Sequence, residues 1–259
     1  MTSHRPIVIS IIQYQDDIAA GRMTVFDLIN KLPGFGVAGI ELRRETWQNY
    51  QSELPAVRDL LKQMGMIVTY GSFSTLFSST DESRRLLRHD LETAQALGSP
   101  LLRVFPGAAP DALDDPAWQQ AVEIVDYAAS LNVVIALENF GKTPGGKLSE
   151  VLHILNRIQS PALQTNIDIG NYDTNGEDVV TAIHALGSRA VYAHLKDKAG
   201  ERSDSTTYLG GGTLPMRKIV TALNQLPQPI IYCFEFVGAG EADSRIEKSV
   251  AFLRSLDSQ

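Results

Sequence analysis

The sequence alternates between short apolar runs and longer amphipathic segments, and this alternation restricts the fold more than any other feature. The apolar runs begin about every 32 residues and are short enough to be buried β-strands. We predict strands at 7–12, 38–43, 66–71, 101–105, 133–139, 163–168, 190–196 and 230–236. Helices are predicted at 24–32, 52–64, 81–97, 116–131, 147–159, 177–186, 214–226 and 242–256.

This order of elements predicts an α/β protein, a single (β/α)8 TIM-barrel domain over residues 1–259. Regular strand–helix alternation implies a parallel sheet with right-handed crossovers. Eight such units in 259 residues match the usual size of a TIM barrel. A doubly wound open sheet is the alternative, but it needs fewer strands. Its usual G-x-G-x-x-G segment does not follow the first strand here.

The charge and the cysteine content narrow the class of protein. The net charge is −7, which argues against nucleic acid or an anionic membrane as the partner. No run of 18 apolar residues occurs, so no membrane-spanning segment is expected. Cys233 is the single cysteine, and the first 17 residues do not resemble a signal peptide. We therefore expect a soluble, cytoplasmic protein.

Four consecutive predicted strands end with a side chain that can bind a metal. These side chains are Glu138, Asp168, His194 and Glu235. Each one by itself could be a helix cap, an exposed charge or a hydrogen-bonded core residue. Together, at the carboxyl ends of neighbouring barrel strands, they predict a site for one divalent ion. Three carboxylates and one imidazole suit Mn2+, Mg2+ or Co2+, and also Zn2+.

The segments around these positions resemble those of a known superfamily. GIELRRE, LENFG, NIDIGN, AHLKDK, YLGGGTLP and FEFVG are similar to the xylose isomerase-like (AP endonuclease 2-like) TIM barrels. More narrowly, they resemble the sugar phosphate isomerase/epimerase group, which includes ketose 3-epimerases, hydroxypyruvate isomerase and inosose-processing enzymes. The resemblance extends over nearly the whole chain and implies the same four metal ligands.

Two positions depart from the ketose 3-epimerases of that group. Asn171 stands where those enzymes commonly have a substrate-contacting histidine, and Pro144 stands where they tend to have a second glutamate. The endonuclease branch of the superfamily needs a three-metal cluster with several histidines. This chain has five histidines, and His194 is the one predicted at a strand end. DNA repair is therefore not expected.

The metal set and the resemblance together predict an enzyme of carbohydrate metabolism. We expect a metal-dependent isomerase or epimerase of a sugar or a sugar-derived hydroxy-keto compound. Its reaction would transfer a proton through a metal-stabilised enediolate, with Glu138 and Glu235 as the acid and base. An inosose-type dehydratase on the same metal site is the alternative. A barrel that binds a sugar derivative without turnover is a third hypothesis.

Five further residues are candidates for substrate binding: Lys196, Glu41, Arg43, Arg44 and Asn171. An arginine near the end of the second strand could bind a carboxylate or phosphate through two hydrogen bonds. Each candidate also has a structural interpretation, as a salt bridge at the barrel rim or as a turn residue.

Three other features leave alternatives open. Arg103 is interpreted as a core or rim residue. The Gly-rich segment at 209–215 is either a phosphate cradle or a flexible loop. Trp47 and Tyr50 either cap the mouth of the barrel or form a subunit interface, so a homo-oligomer stays open.

Overall fold

A computed structural model describes residues 5–201 and 203–257. Among these residues, eight parallel strands close into a barrel and follow one another around it in chain order. They are β1 (Ile7–Ser10), β2 (Gly39–Arg43), β3 (Ile67–Phe77), β4 (Leu101–Gly107), β5 (Val134–Glu138), β6 (Leu163–Asp168), β7 (Ala190–Leu195) and β8 (Ile231–Phe234). The predicted (β/α)8 TIM barrel is confirmed. The largest difference is in β3, which continues six residues further than predicted, past an irregularity between Gly71 and Thr75.

The described part of the chain contains ten α-helices. They are α1 (Gln15–Ala19), α2 (Val25–Phe35), α3 (Tyr50–Gln63), α4 (Asp81–Leu97), α5 (Pro116–Ser130), α6 (Leu148–Arg157), α7 (Ile169–Thr174), α8 (Val179–Leu186), α9 (Met216–Asn224) and α10 (Ala242–Asp257). Eight of them are the predicted helices. The short helices α1 and α7 were not predicted, and they lie in the loops after β1 and β6. None of the described helices is long and apolar enough to cross a membrane.

Local sequence signals explain where the helices begin and end. At the start of α4, the side chain of Thr80 accepts a hydrogen bond from the backbone N–H of Ser83, which caps the first turn. At its end, Gly98 adopts a φ of 79°, a left-handed conformation that favours glycine. The apolar faces of such helices pack against the outside of the barrel.

The strand register brings the predicted ligands to one level. Asp168 of β6 lies directly beside His194 of β7, and Glu138 of β5 lies beside Asn166 of β6. Glu235 follows β8 immediately, and its backbone N–H donates to the carbonyl of Leu195 at 3.0 Å. Because alternate residues of a strand face the same side, Asn166 and Asp168 both point into the barrel. The carboxyl ends of β5 to β8 therefore converge on one point.

A two-stranded antiparallel hairpin follows β7 at the same end of the barrel. It pairs Asp197–Lys198 with Thr206–Thr207. No sequence pattern predicted this hairpin, because each of its strands has two residues.

Candidate metal centre

Glu138, Asp168, His194 and Glu235 form a buried cluster, which we call the quartet. One ligand atom from each lies within 4.8 Å of those of the others. His194 Nδ1 is 3.2 Å from Glu138 Oε2, 3.4 Å from Glu235 Oε1 and 3.5 Å from Asp168 Oδ2. This nitrogen forms a hydrogen bond with none of the described residues. A buried polar atom without a hydrogen-bond partner is costly. A divalent ion bound by these four side chains would give this nitrogen a partner. The residues present therefore fit a metal.

Burial and neighbouring charges shift the pKa values of the quartet. Burial would lower the pKa of His194, but the nearby carboxylates, Glu235 foremost, raise it well above its usual range. Burial raises the pKa of Asp168, and the ammonium of Lys196 offsets only part of this rise. Burial would also raise the pKa of Glu235, yet His194 and Lys196 hold it well below its usual range. The quartet therefore attracts positive charge, either a proton on His194 or a metal ion.

The carboxylate of Glu41 contacts the ring nitrogen of His194 that faces away from the quartet. Its Oε2 lies 2.8 Å from His194 Nε2 and accepts from the hydroxyl of Tyr192 at 3.0 Å. Its Oε1 accepts from Ser10 Oγ at 2.9 Å and from the guanidinium of Arg43. Because the carboxylate can only accept, His194 keeps a hydrogen on Nε2 in both its charged and its neutral form, and loss of a proton from the charged ring exposes the Nδ1 lone pair to the quartet.

Two asparagines fix the strand ends that carry the quartet. Asn139 Nδ2 donates to the carbonyl of Asp168 at 2.9 Å, and Asn139 Oδ1 accepts from the Asp168 N–H at 2.8 Å. Asn166 Nδ2 donates to Glu138 Oε2 at 3.1 Å, and its Oδ1 accepts from the N–H of His194. These amides behave like additional backbone units, and they join β5, β6 and β7 at the level of the quartet.

The side chain of Asp168 caps a helix and also lies in the quartet. Its Oδ1 accepts from the N–H of Asn171 at 2.9 Å and so caps α7. Its Oδ2 lies in the quartet.

Three cations surround the quartet. Arg43 forms an ion pair with Glu235 and another with Glu41. Lys196 Nζ lies 2.5 Å from Glu235 Oε2 and 2.6 Å from Asp168 Oδ2. Each of these three residues is at most 9% exposed, so the surrounding water screens their charges only weakly.

Arg103 is the third cation, and the sequence analysis did not identify it as a site residue. Its Nε lies 3.0 Å from Glu138 Oε2, and its side chain is 1% exposed. It was interpreted as a core or rim residue because apolar residues surround it in β4. A buried arginine needs a carboxylate partner, and this requirement was the available signal. Phe73 and Phe105 pack near its guanidinium.

The other predicted substrate residues divide into two groups. Asn171 reaches the quartet, because its Nδ2 donates to Glu138 Oε1 at 3.2 Å. Arg44 does not reach it. The short helix Arg44–Thr46 turns this guanidinium outward, where it pairs with the buried carboxylate of Asp90 and donates to Ser74. This geometry gives no support to a substrate contact by Arg44.

The two remaining sequence features pack within the protein. The N–H groups of Gly210, Gly212 and Leu214 donate to the buried carboxylate of Asp197, so this internal anion occupies the backbone donors of the Gly-rich loop. The Gly-rich loop is therefore built around a side chain of the protein itself.

Trp47 also contacts a residue of the protein. Its indole N–H donates to the hydroxyl of Tyr70 at 3.3 Å.

Comparison with known proteins assigns the family. The sequence profile described as xylose isomerase-like TIM barrel matches residues 29–256. The chain belongs to this family. No curated protein matches the chain.

Several solved structures share the fold of this chain. The probable 3-DHS dehydratase AsbF, involved in petrobactin synthesis in Bacillus anthracis, superimposes with a TM-score of 0.78 at 17% identity, covering 96% of this chain and 98% of the other. The D-allulose 3-epimerase of Methylomonas sp., solved with D-allulose, gives 0.74 at 19% identity and covers 97% of both chains. A D-tagatose 3-epimerase-like protein gives 0.78 at 19% identity and covers 98% of both chains.

The histidines of this xylose isomerase-like barrel are placed as the sequence suggested. His89, His153 and His184 lie on α4, α6 and α8, and His194 lies at the end of β7. His4 lies outside the described residues. Among the described residues, the quartet therefore contains one histidine, in keeping with a site for a single ion.

Proposed function

We propose that the protein is a divalent-metal-dependent isomerase or epimerase of a sugar or sugar-derived hydroxy-keto compound. The observation that carries this proposal is His194 Nδ1, which is buried, makes no hydrogen bond to the described residues and is almost equally distant from three carboxylate oxygens. The quartet would hold the ion. A bound divalent ion supplies a Lewis acid that polarises the carbonyl of the substrate and makes the neighbouring carbon more acidic.

Glu138 is the better placed base. Its Oε1 accepts one hydrogen bond from the neutral amide of Asn171, whereas both oxygens of Glu235 contact cations. Glu138 Oε1 would remove the proton from the carbon next to the carbonyl. Return of that proton to the adjacent carbon gives an isomerisation. Delivery of a proton from the opposite side, by Lys196 Nζ together with Glu235, gives an epimerisation.

The charges around the quartet support an anionic intermediate. Four buried carboxylates, Glu41 and the three of the quartet, outnumber the cations Arg43, Arg103 and Lys196 by one. With a neutral His194 and a divalent ion, the site would have one net positive charge. That charge would stabilise the single negative charge of an enediolate.

A dehydratase is the second candidate, and Lys196 favours it. An ammonium ion within 2.6 Å of two quartet carboxylates is placed to protonate a hydroxyl that leaves from the carbon beyond the enediolate. The fold is shared with both a dehydratase and epimerases. A barrel that only binds a sugar derivative is the third candidate, and it has no evident use for three buried carboxylates gathered around one imidazole.

The test begins with metal analysis of the purified protein and continues with exchange of carbon-bound hydrogen. A panel of ketoses, hydroxypyruvate and inososes would be incubated in D2O and followed by NMR. We expect metal-dependent exchange, lost at least about 100-fold in Glu138→Gln. Glu123→Gln is the matched control, because Glu123 is exposed on α5. Exchange with loss of water identifies the dehydratase.

Two results would contradict the proposal. A wild type that takes up no Mn2+, Mg2+, Co2+ or Zn2+ would exclude the metal site. A metal-loaded wild type and a Glu138→Gln variant with equal exchange rates would exclude the assigned base.

A further inference from the structure

A cavity lies beside the quartet. Its volume is about 310 Å3, and its lining includes Phe140, Lys142, Asn171, Thr174, Lys196 and Lys198. We call it the Lys198 cavity. It lies between the segments that follow β5, β6 and β7, at the end of the barrel where the quartet is found.

Two residues of its wall also touch the quartet. Lys196 Nζ contacts Asp168 and Glu235, and Asn171 Nδ2 donates to Glu138 Oε1. The Lys198 cavity and the quartet therefore share the side chains of Lys196 and Asn171, so a group in the cavity would lie one side chain away from the quartet.

Lys198 is the unusual residue of this cavity. It is 2% exposed, and its ammonium donates to Thr174 Oγ1 at 2.8 Å. Within the described part of the chain, no carboxylate oxygen forms an ion pair with it, whereas Lys196 has two such partners and Lys142 pairs with Asp204. Two of its three donors therefore have no hydrogen-bond acceptor among the described residues, and unsatisfied donors on a buried ammonium are costly.

The charge of the cavity contrasts with that of the protein. The chain as a whole has a net charge of −7, yet three lysines and one aspartate, Asp204, line this cavity. The amides of Asn171 and Asn175 also line it, and each has one N–H beyond the hydrogen bond that it already donates. A cavity of this composition is complementary to an anion.

We propose that the Lys198 cavity binds an anionic group of the substrate, a carboxylate or a phosphate, at the end away from the reacting carbonyl. This proposal rests on the proposed function for the identity of the ligand as a substrate, but anion binding can be measured without catalysis. It narrows the substrate class to sugar acids or sugar phosphates.

Calorimetric titration of the Mg2+-loaded protein with inorganic phosphate and with D-glycerate tests the proposal. We expect the wild type to bind at least one of these probes and Lys198→Met to bind it at least tenfold more weakly. Lys198→Arg keeps the charge and should retain binding, which guards against a Met variant that folds poorly. Lys62→Met, on the exposed face of α3, is the matched control. The preferred probe distinguishes a phosphate from a carboxylate.

Kinetics give a second readout once a substrate is found. Lys198→Met should raise the KM for the charged member of a pair of ketoses with and without a terminal anion, and leave the KM for the neutral member unchanged. A wild type that binds neither probe, or a folded Lys198→Met that binds as well as the wild type, would overturn the proposal. Metal uptake and exchange in that same wild type would show that the proposed function survives.

Discussion

Glu41→Gln should weaken metal binding although Glu41 lies outside the quartet. The carboxylate accepts from Ser10, Arg43, Tyr192 and His194. The amide of glutamine replaces one acceptor by an NH2 donor. If that NH2 group faces His194 Nε2, the ring hydrogen must move to Nδ1, into the centre of the quartet. If the amide is rotated by 180°, its NH2 group faces the guanidinium of Arg43. Both groups are then donors, and neither can accept a hydrogen bond from the other.

The magnitude follows from this change of tautomer. Loss of a partner that orients a metal-binding histidine usually lowers metal affinity about 10–100-fold. This range corresponds to about 1.4–2.7 kcal/mol of binding free energy. We expect the upper part of the range, because Glu41 is fully buried and water cannot replace the lost acceptor.

Calorimetric titration with Mn2+ measures this effect. Circular dichroism and thermal unfolding establish that the variant is folded, and Glu123→Gln controls for the loss of one negative charge. A folded Glu41→Gln protein with the Mn2+ affinity of the wild type would refute the reasoning, because it would show that Glu41 does not set the tautomer of His194.

Three further predictions concern the metal, an ion pair and a close contact. Mn2+ at 100 times its Kd should raise Tm by about 5–10 °C. Binding should also release close to one proton, because the raised pKa of His194 keeps that ring protonated without metal. Equal binding heats in buffers of different ionisation enthalpy would contradict the release of a proton. Arg44→Met should lower the free energy of unfolding by about 3 kcal/mol, because Asp90 is left buried and unpaired, yet keep the Mn2+ affinity; urea unfolding and titration measure both. Gly39→Ala should cost at least about 3 kcal/mol in urea unfolding, because its Cβ would lie 1.8 Å from the carbonyl oxygen of Ile67; a variant as stable as the wild type would contradict this.

The sequence predicted the barrel and the convergence of the quartet because both depend on strand positions. Apolar runs locate the strands, and in a parallel barrel the residues at the strand ends must meet. The family is confirmed, while the roles of Glu138, Asp168, His194 and Glu235 stay predictions.

The partners of each charge could not be predicted in the same way. Arg43 and Arg44 are neighbours in sequence, but the first points toward Glu235 and the second toward Asp90. That difference depends on a short turn after β2 rather than on any periodicity. Lys198 lies in a hairpin of two-residue strands, which is too short to leave a pattern. Pairings of this kind are set by the loops and by the register.

The side-chain amides of Asn139 and Asn166 hold the geometry of the quartet independently of much of the loop sequence. They fasten the ligand-bearing ends of β5, β6 and β7 to one another before the chain enters the segments that line the mouth. Exchange of the more distant loops should therefore change which molecules enter and leave the geometry of the quartet in place. For an engineer, these two asparagines are positions to keep together with the quartet when the loops are exchanged.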